Sequence, residues 1–138
     1  MAKYNHLPIF QLAYKLIIEI YKMTHYFPRE HKYTLGQKLK ETDIEFIDFI
    51  ILANSQENKI SSLKEARTTL ERLRIYIRMS FDLKIINFKK YEFLSRSFED
   101  LSRQLSGWQE WALKEANKKI IRDFGEPEFL NPRIQRAS

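Results

Sequence analysis

Tyr91-Glu92-Phe93-Leu94-Ser95-Arg96-Ser97-Phe98-Glu99-Asp100-Leu101-Ser102-Arg103-Gln104-Leu105-Ser106-Gly107-Trp108-Gln109-Glu110-Trp111-Ala112 is the stretch that decides the fold. Its apolar residues Tyr91, Leu94, Phe98, Leu101, Leu105, Trp108 and Ala112 recur in alternating steps of three and four. A helix gathers such positions into one stripe, whereas a strand throws alternate residues to opposite faces. The segment therefore predicts an amphipathic helix that must bury its stripe against other helices.

Working outward, the chain has only three glycines and four prolines, so long uninterrupted segments with helical periodicity remain. Upstream, Ser62-Leu63-Lys64-Glu65 fits a capping box, in which the Ser62 hydroxyl serves the Glu65 amide and Glu65 reaches back. That predicts the start of a third helix, carrying Leu63, Ala66, Leu70, Leu73 and Ile77 on one stripe and ending around Ile86-Asn87. A second helix is expected from Tyr33 or Thr34 through Leu35, Leu39, Phe46, Ile50 and Ala53, before the polar break Asn54 to Asn58. The first runs from Pro8 to Tyr26 and stops before Phe27-Pro28, because the residue preceding a proline resists helical backbone angles. A turn follows at Pro28-Arg29-Glu30-His31.

Four helices with short connections predict an all-α, up-down-up-down bundle over residues 1–116, followed by a looser tail over 117–138. In the tail, Gly125-Glu126-Pro127 and Asn131-Pro132-Arg133 read as turns, and Phe124, Phe129 and Leu130 are available to dock. The first two helices are apolar around much of their circumference, through Leu12, Leu16, Ile17, Ile20 and Met23, and through Ile44, Ile47, Phe49, Ile51 and Leu52. Either two neighbours within the bundle bury these faces, or a second surface serves self-association.

At 138 residues the chain suits one core. The absence of cysteine removes disulfides, thiol catalysis and thiolate metal sites, and is compatible with a reducing, cytoplasmic location. The opening Met1 to Pro8 lacks an apolar region followed by a small-residue cleavage site, so no secretory signal is expected. The longest apolar run, Phe49 to Ala53, is far short of the roughly 20 residues of a membrane span, so no membrane partner is expected.

The net charge of +6 is unevenly spread: +3 over residues 1–34, −3 over 35–58, +6 over 59–90 and zero over 91–138. On the third helix, Arg67, Arg74 and Arg78 fall together beside the apolar stripe, with Lys64 near their edge, Glu71 interrupting and Arg72 pointing elsewhere. Arginine presents a rigid fork of donors suited to phosphate, and one-turn spacing of about 5.4 Å lets a row track a phosphate backbone. These four residues are the candidate nucleic-acid contacts. The same line also reads as a solvated flank covering the core edge, or as a dock for an acidic protein. Nearby Tyr76 and Phe81 suit base stacking and core packing equally.

Catalytic constellations are poorly represented. His6, His25 and His31 have no metal-binding spacing and read as surface residues. Glu41, Asp43, Glu45 and Asp48 cluster on the second helix, but the Glu-x-x-His motif of two-metal bundles is missing. That cluster is expected to be a solvated acidic face or a dock for basic neighbours. No phosphate-cradling glycine loop and no nucleophile elbow occur, so neither enzymatic activity nor a cofactor or metal is expected.

Over roughly residues 7–112 the chain resembles a superfamily of small four-helix bundles. It includes the 23S rRNA intervening-sequence proteins and the accessory variability determinants of diversity-generating retroelements. The likeness rests on Leu7-Pro8-Ile9-Phe10 with Tyr14-Lys15-Leu16, on Phe27-Pro28 followed by Tyr33 to Leu39, on Leu73-Arg74-Ile75-Tyr76-Ile77-Arg78, and on Gly107-Trp108. The intervening-sequence branch carries an arginine pair and a glycine-bearing Asn-Ile-Ala-Glu-Gly-like stretch on its second helix. Here that region reads Gln37-Lys38-Leu39-Lys40-Glu41-Thr42-Asp43-Ile44-Glu45-Phe46-Ile47, so the chain is more similar to the retroelement branch. The resemblance implies a homopentameric ring of bundles without chemistry of its own. It also implies association with the retroelement reverse transcriptase and template RNA, with DNA as a further ligand, in mutagenic cDNA synthesis. The alternative is a scaffold or protein-interaction bundle of the intervening-sequence type, docking acidic protein on its basic helix.

Overall fold

A computed structural model describes residues 4–126, and the chain folds into four long helices: α1 (Pro8–His25), α2 (Leu35–Ser55), α3 (Ile60–Asp82) and α4 (Phe88–Phe124). Among the described residues there is no strand. Consecutive helices pack side by side, and α1 also packs against α4, so the four close around one core.

Local chemistry sets the helix ends. Pro8 opens α1, where a missing amide hydrogen leaves no bond unmade. After Phe27-Pro28 the expected turn winds into a single helical turn, Arg29–Lys32, with the Pro28 carbonyl accepting from the His31 and Lys32 amides at 2.9 Å each. Gly36 then lies where α2 leaves α1. A Cβ there would stand 3.3 Å from the His31 carbonyl and 3.5 Å from both Phe27 and Thr24, so the glycine permits close approach.

The start of α3 differs from the expected capping box. The helix begins at Ile60, and buried Ser62 instead donates its hydroxyl hydrogen bond to the Gln56 side chain. Asn58 accepts from the Ile60 amide at 3.1 Å. Lys59 turns back onto α2 and donates to the carbonyls of Ala53 (2.8 Å), Asn54 (3.3 Å) and Gln56 (2.7 Å), a cation on the negative end of that helix. At the other end α3 stops at Asp82, four residues before the expected limit. The chain reverses there through Lys84, which has a left-handed φ of 62°, while Ile85 and Ile86 donate to the Ser80 carbonyl. Asn87 then caps α4 by accepting from the Lys90 amide at 2.8 Å.

The core is the predicted one. Leu94, Phe98, Leu101, Leu105 and Ala112 of α4 are buried, with Tyr91 and Trp108 packed on its margin. They face Leu63, Ala66, Leu70, Leu73 and Ile77 of α3, Leu39, Phe46, Ile50 and Ala53 of α2, and Ala13, Leu16 and Ile20 of α1. Tyr14, Ile18 and Tyr21 on α1 and Ile44 and Leu52 on α2 stay exposed, so burial within one bundle does not account for all of their apolar surface.

Two further expectations need correction. The looser segment does not begin at Asn117: Leu113 to Phe124 contains neither glycine nor proline, and α4 continues through it for a total of 37 residues. Gly125, at φ 86°, then ends the helix with its amide bonded to the Ile121 carbonyl at 2.9 Å. The expected turns at Pro127 and Asn131 to Arg133, and the docking of Phe129 and Leu130, lie outside the described residues. Second, Asp43 does not belong to a solvated acidic face. It is fully buried on the Leu39, Phe46 and Ile50 side of α2, and neither carboxylate oxygen has a hydrogen-bond partner among the described residues.

Candidate nucleic-acid interface

The four cations picked from the sequence of α3 do not share one environment. Arg67 is turned into α4. Its Nη1 donates to the Ser102 hydroxyl at 2.7 Å, and Nη2 donates to the Ser102 carbonyl at 3.0 Å and the Ser106 hydroxyl at 2.6 Å. Its Nε reaches the Gln109 side-chain oxygen at 3.3 Å. The guanidinium spends most of its donors inside the protein and clamps α3 to α4.

Arg74 and Arg78 face outward. Arg74 lies 3.7 Å from Glu71 and holds its guanidinium 5.5 Å from the centre of the Phe98 ring, within cation–π range. Arg78 donates from Nε to both oxygens of Asp82, at 3.0 and 3.1 Å, and the bonds to Asp82 and Tyr91 raise its pKa further. Lys64 is exposed on the first turns of α3, with no carboxylate within ion-pair distance among the described residues. Arg72 points to the other side, as expected, and pairs with Glu45 of α2 at 2.7 Å.

Between α3 and α4, Arg74 borders an open groove of about 540 Å³ whose lining also includes Ile77, Tyr91, Phe98, Ser102 and Arg103. Arg103 was not singled out from the sequence. It becomes visible only once α3 and α4 are placed together, being 3.4 Å from Asp100 on α4. The serines at 95, 102 and 106, by contrast, repeat at steps of seven and four and so mark a polar flank beside the α4 stripe. Glu71, Asp82, Glu99 and Asp100 bring negative charge to the same face, so an anionic ligand must compete with pairs already formed.

The two aromatic candidates divide. Phe81 stacks on Tyr91 with ring centres 4.5 Å apart and also meets Phe88 at 6.1 Å, a packing role. Tyr76 is half-buried against the core beside α2. His25 is exposed, and His31 lies 3.1 Å from Glu30. Among the described residues no group of three or more His, Cys, Asp or Glu side chains is arranged to hold a metal ion. No helix among them is long and apolar enough to cross a membrane.

Fold and surface thus define an all-helical bundle with a cationic flank, a form suited to binding. The family model described as bAvd-like matches residues 7–112, and the chain belongs to that family, the accessory variability determinants of diversity-generating retroelements. It is not a known enzyme family. No curated protein matches the sequence. The match ends at Ala112, which is also the last buried residue of α4.

Proposed function

We propose that the protein is a nonenzymatic accessory subunit of a diversity-generating retroelement. In this reading it binds the element's reverse transcriptase and template RNA in the cytoplasm, with DNA as a further ligand, and supports mutagenic cDNA synthesis. The observation that carries the reading is the family match, which spans the whole buried bundle. Lys64, Arg74 and Arg78 are the α3 cations available to phosphate, with Arg103 across the groove, while Arg67 holds the two helices that present them. In this reading the bundle domain is residues 1–116, and 117–138, helical as far as Phe124, is a C-terminal extension beyond it. Tyr14, Ile18 and Tyr21 of α1 and Ile44 and Leu52 of α2 are exposed, and Lys40 of α2 sits 5.0 Å from the Tyr21 ring. This uncovered apolar surface supports assembly into the homopentameric ring that the family relation implies.

A titration against structured RNA and a matched DNA duplex at several salt concentrations, with the mass measured in the same buffers, tests the reading. A multimer that binds with a steep salt slope and retains the element's reverse transcriptase in a pull-down supports it. A monomer that binds neither at low salt overturns it. The protein-docking alternative draws on the carboxylates already paired with Arg74 and Arg78, which an acidic protein segment can replace one for one. Capture of acidic protein without RNA binding would favour that alternative.

A further inference from the structure

The flank on the α1 side of α4 carries a second cationic surface with a different chemistry. Between the end of α1 and the start of α4 lies a groove of about 700 Å³, within the usual size range of ligand sites. Lys22, Lys89 and Lys90 line it, against the single carboxylate of Glu19. Glu19 is shared between Lys22 at 3.9 Å and Lys90 at 4.0 Å, and Lys89 has no acidic partner among the described residues. Lys89 and Lys90 also occupy the first turn of α4, which holds no acidic residue, so they add positive charge to the positive end of a helix dipole. Their placement opposes folding and favours an anion.

The same groove exposes rings. Tyr26 is 84% exposed and Phe93 49% exposed, and Lys90 lies 5.6 Å from the centre of the Phe93 ring. The arginine groove offers instead a Phe98 ring that is buried and covered by Arg74. Exposed rings beside three lysines that share one carboxylate suit a ligand that has both phosphates and free π-faces. An unpaired nucleotide has both, whereas a duplex hides its bases.

We infer that the groove formed by Lys22, Tyr26, Lys89, Lys90 and Phe93 binds single-stranded nucleic acid, with a base stacked on Tyr26 or Phe93 and phosphate on the lysines. This rests on the nucleic-acid part of the proposed function and adds to it a site separate from α3.

The test is fluorescence anisotropy of the full chain with labelled oligouridine and with a blunt RNA duplex, at low salt. The Tyr26→Ala, Lys89→Ala double variant should weaken oligouridine binding about fivefold or more, since stacking alone supplies that factor. Duplex binding should change less, and Tyr26→Phe, which keeps the ring, should bind oligouridine like the wild type. Polyglutamate, which offers charge without rings, should compete poorly. Wild-type affinity in the double variant, or equal competition by polyglutamate, overturns the inference. If oligouridine binding is instead lost in Arg74→Ala, Arg78→Ala, the inference fails while the proposed function stands. If the wild type binds neither RNA, both fail.

Discussion

Arg67 and Arg74 stand two turns apart on the same face of α3, yet the first keeps only 24% of its side chain exposed and the second 66%. The difference comes from α4. Opposite Arg67 it presents Ser102, Ser106 and Gln109, short or flexible side chains that leave room and supply oxygens. Opposite Arg74 it presents the Phe98 ring, which accepts no hydrogen bond and turns the guanidinium toward solvent. The same residue type at the same helical register thus becomes a clamp or a ligand arm according to what the neighbouring helix offers.

The comparison extends to Asp43, and the largest effect is expected there. It is a charged residue type that, unlike Arg67, finds no partner. Burial holds its carboxyl well above the usual carboxylate range. The unfolded chain releases that proton near pH 4, whereas the folded chain keeps it to higher pH. The associated stability is therefore full below about pH 4 and is lost as pH rises through the folded value. Urea midpoints should fall as pH rises from about 4 to 8, and Asp43→Asn should flatten that fall. A midpoint that climbs steadily with pH would show that Asp43 has found a cation.

Next in size, Arg67→Ala should lower the unfolding free energy by about 2 kcal/mol, because charge-assisted bonds to Ser102, Ser106 and Gln109 are lost together. Urea unfolding with an unchanged m-value measures it. A neutral result would break the contrast with Arg74. Ser106→Ala removes one acceptor and should cost about 1 kcal/mol, less when made on top of Arg67→Ala, which a double-mutant cycle reads directly. For the outward pair the expectation reverses. Arg74→Ala should shift stability by no more than about 0.5 kcal/mol, since its ion pair is exposed, and Arg78→Ala should leave the urea midpoint close to that of the wild type. Each should also reduce the slope of log affinity against log salt by roughly 0.7 to 0.9. Arg67→Ala should leave that slope unchanged. A steeper loss for Arg67 than for Arg74 would move the phosphate contact to the clamp.

Much of the fold was legible because periodicity reports burial directly: the α4 stripe, the α3 stripe and the break at Phe27-Pro28 all appear in the structure. What was not legible depended on partners distant in sequence. Ser62 matches a capping motif, but Gln56 across the turn takes its hydroxyl hydrogen bond. The acidic residues of α2 look alike as letters, yet Asp43 shares the Leu39 and Phe46 side whereas Asp48 remains exposed. At the candidate interface, spacing set Arg67, Arg74 and Arg78 on one side of α3 and said nothing of which way each side chain would turn. Arg103 lay beyond that reasoning altogether, since its contribution arises from the pairing of α3 with α4.

The length of α4 has a consequence for how the protein opens. At about 1.5 Å per residue its 37 residues extend some 55 Å, about twice the 27 Å or so of the 18-residue α1. Along 113–124 only Ala116 is even half-buried. One continuous helix therefore holds two degrees of protection. Amides from Leu94 to Ala112 should exchange with deuterium only when the whole bundle unfolds, while those beyond should exchange by fraying from Gly125 inward. The bundle keeps a helical arm that can unwind without disturbing the core behind it.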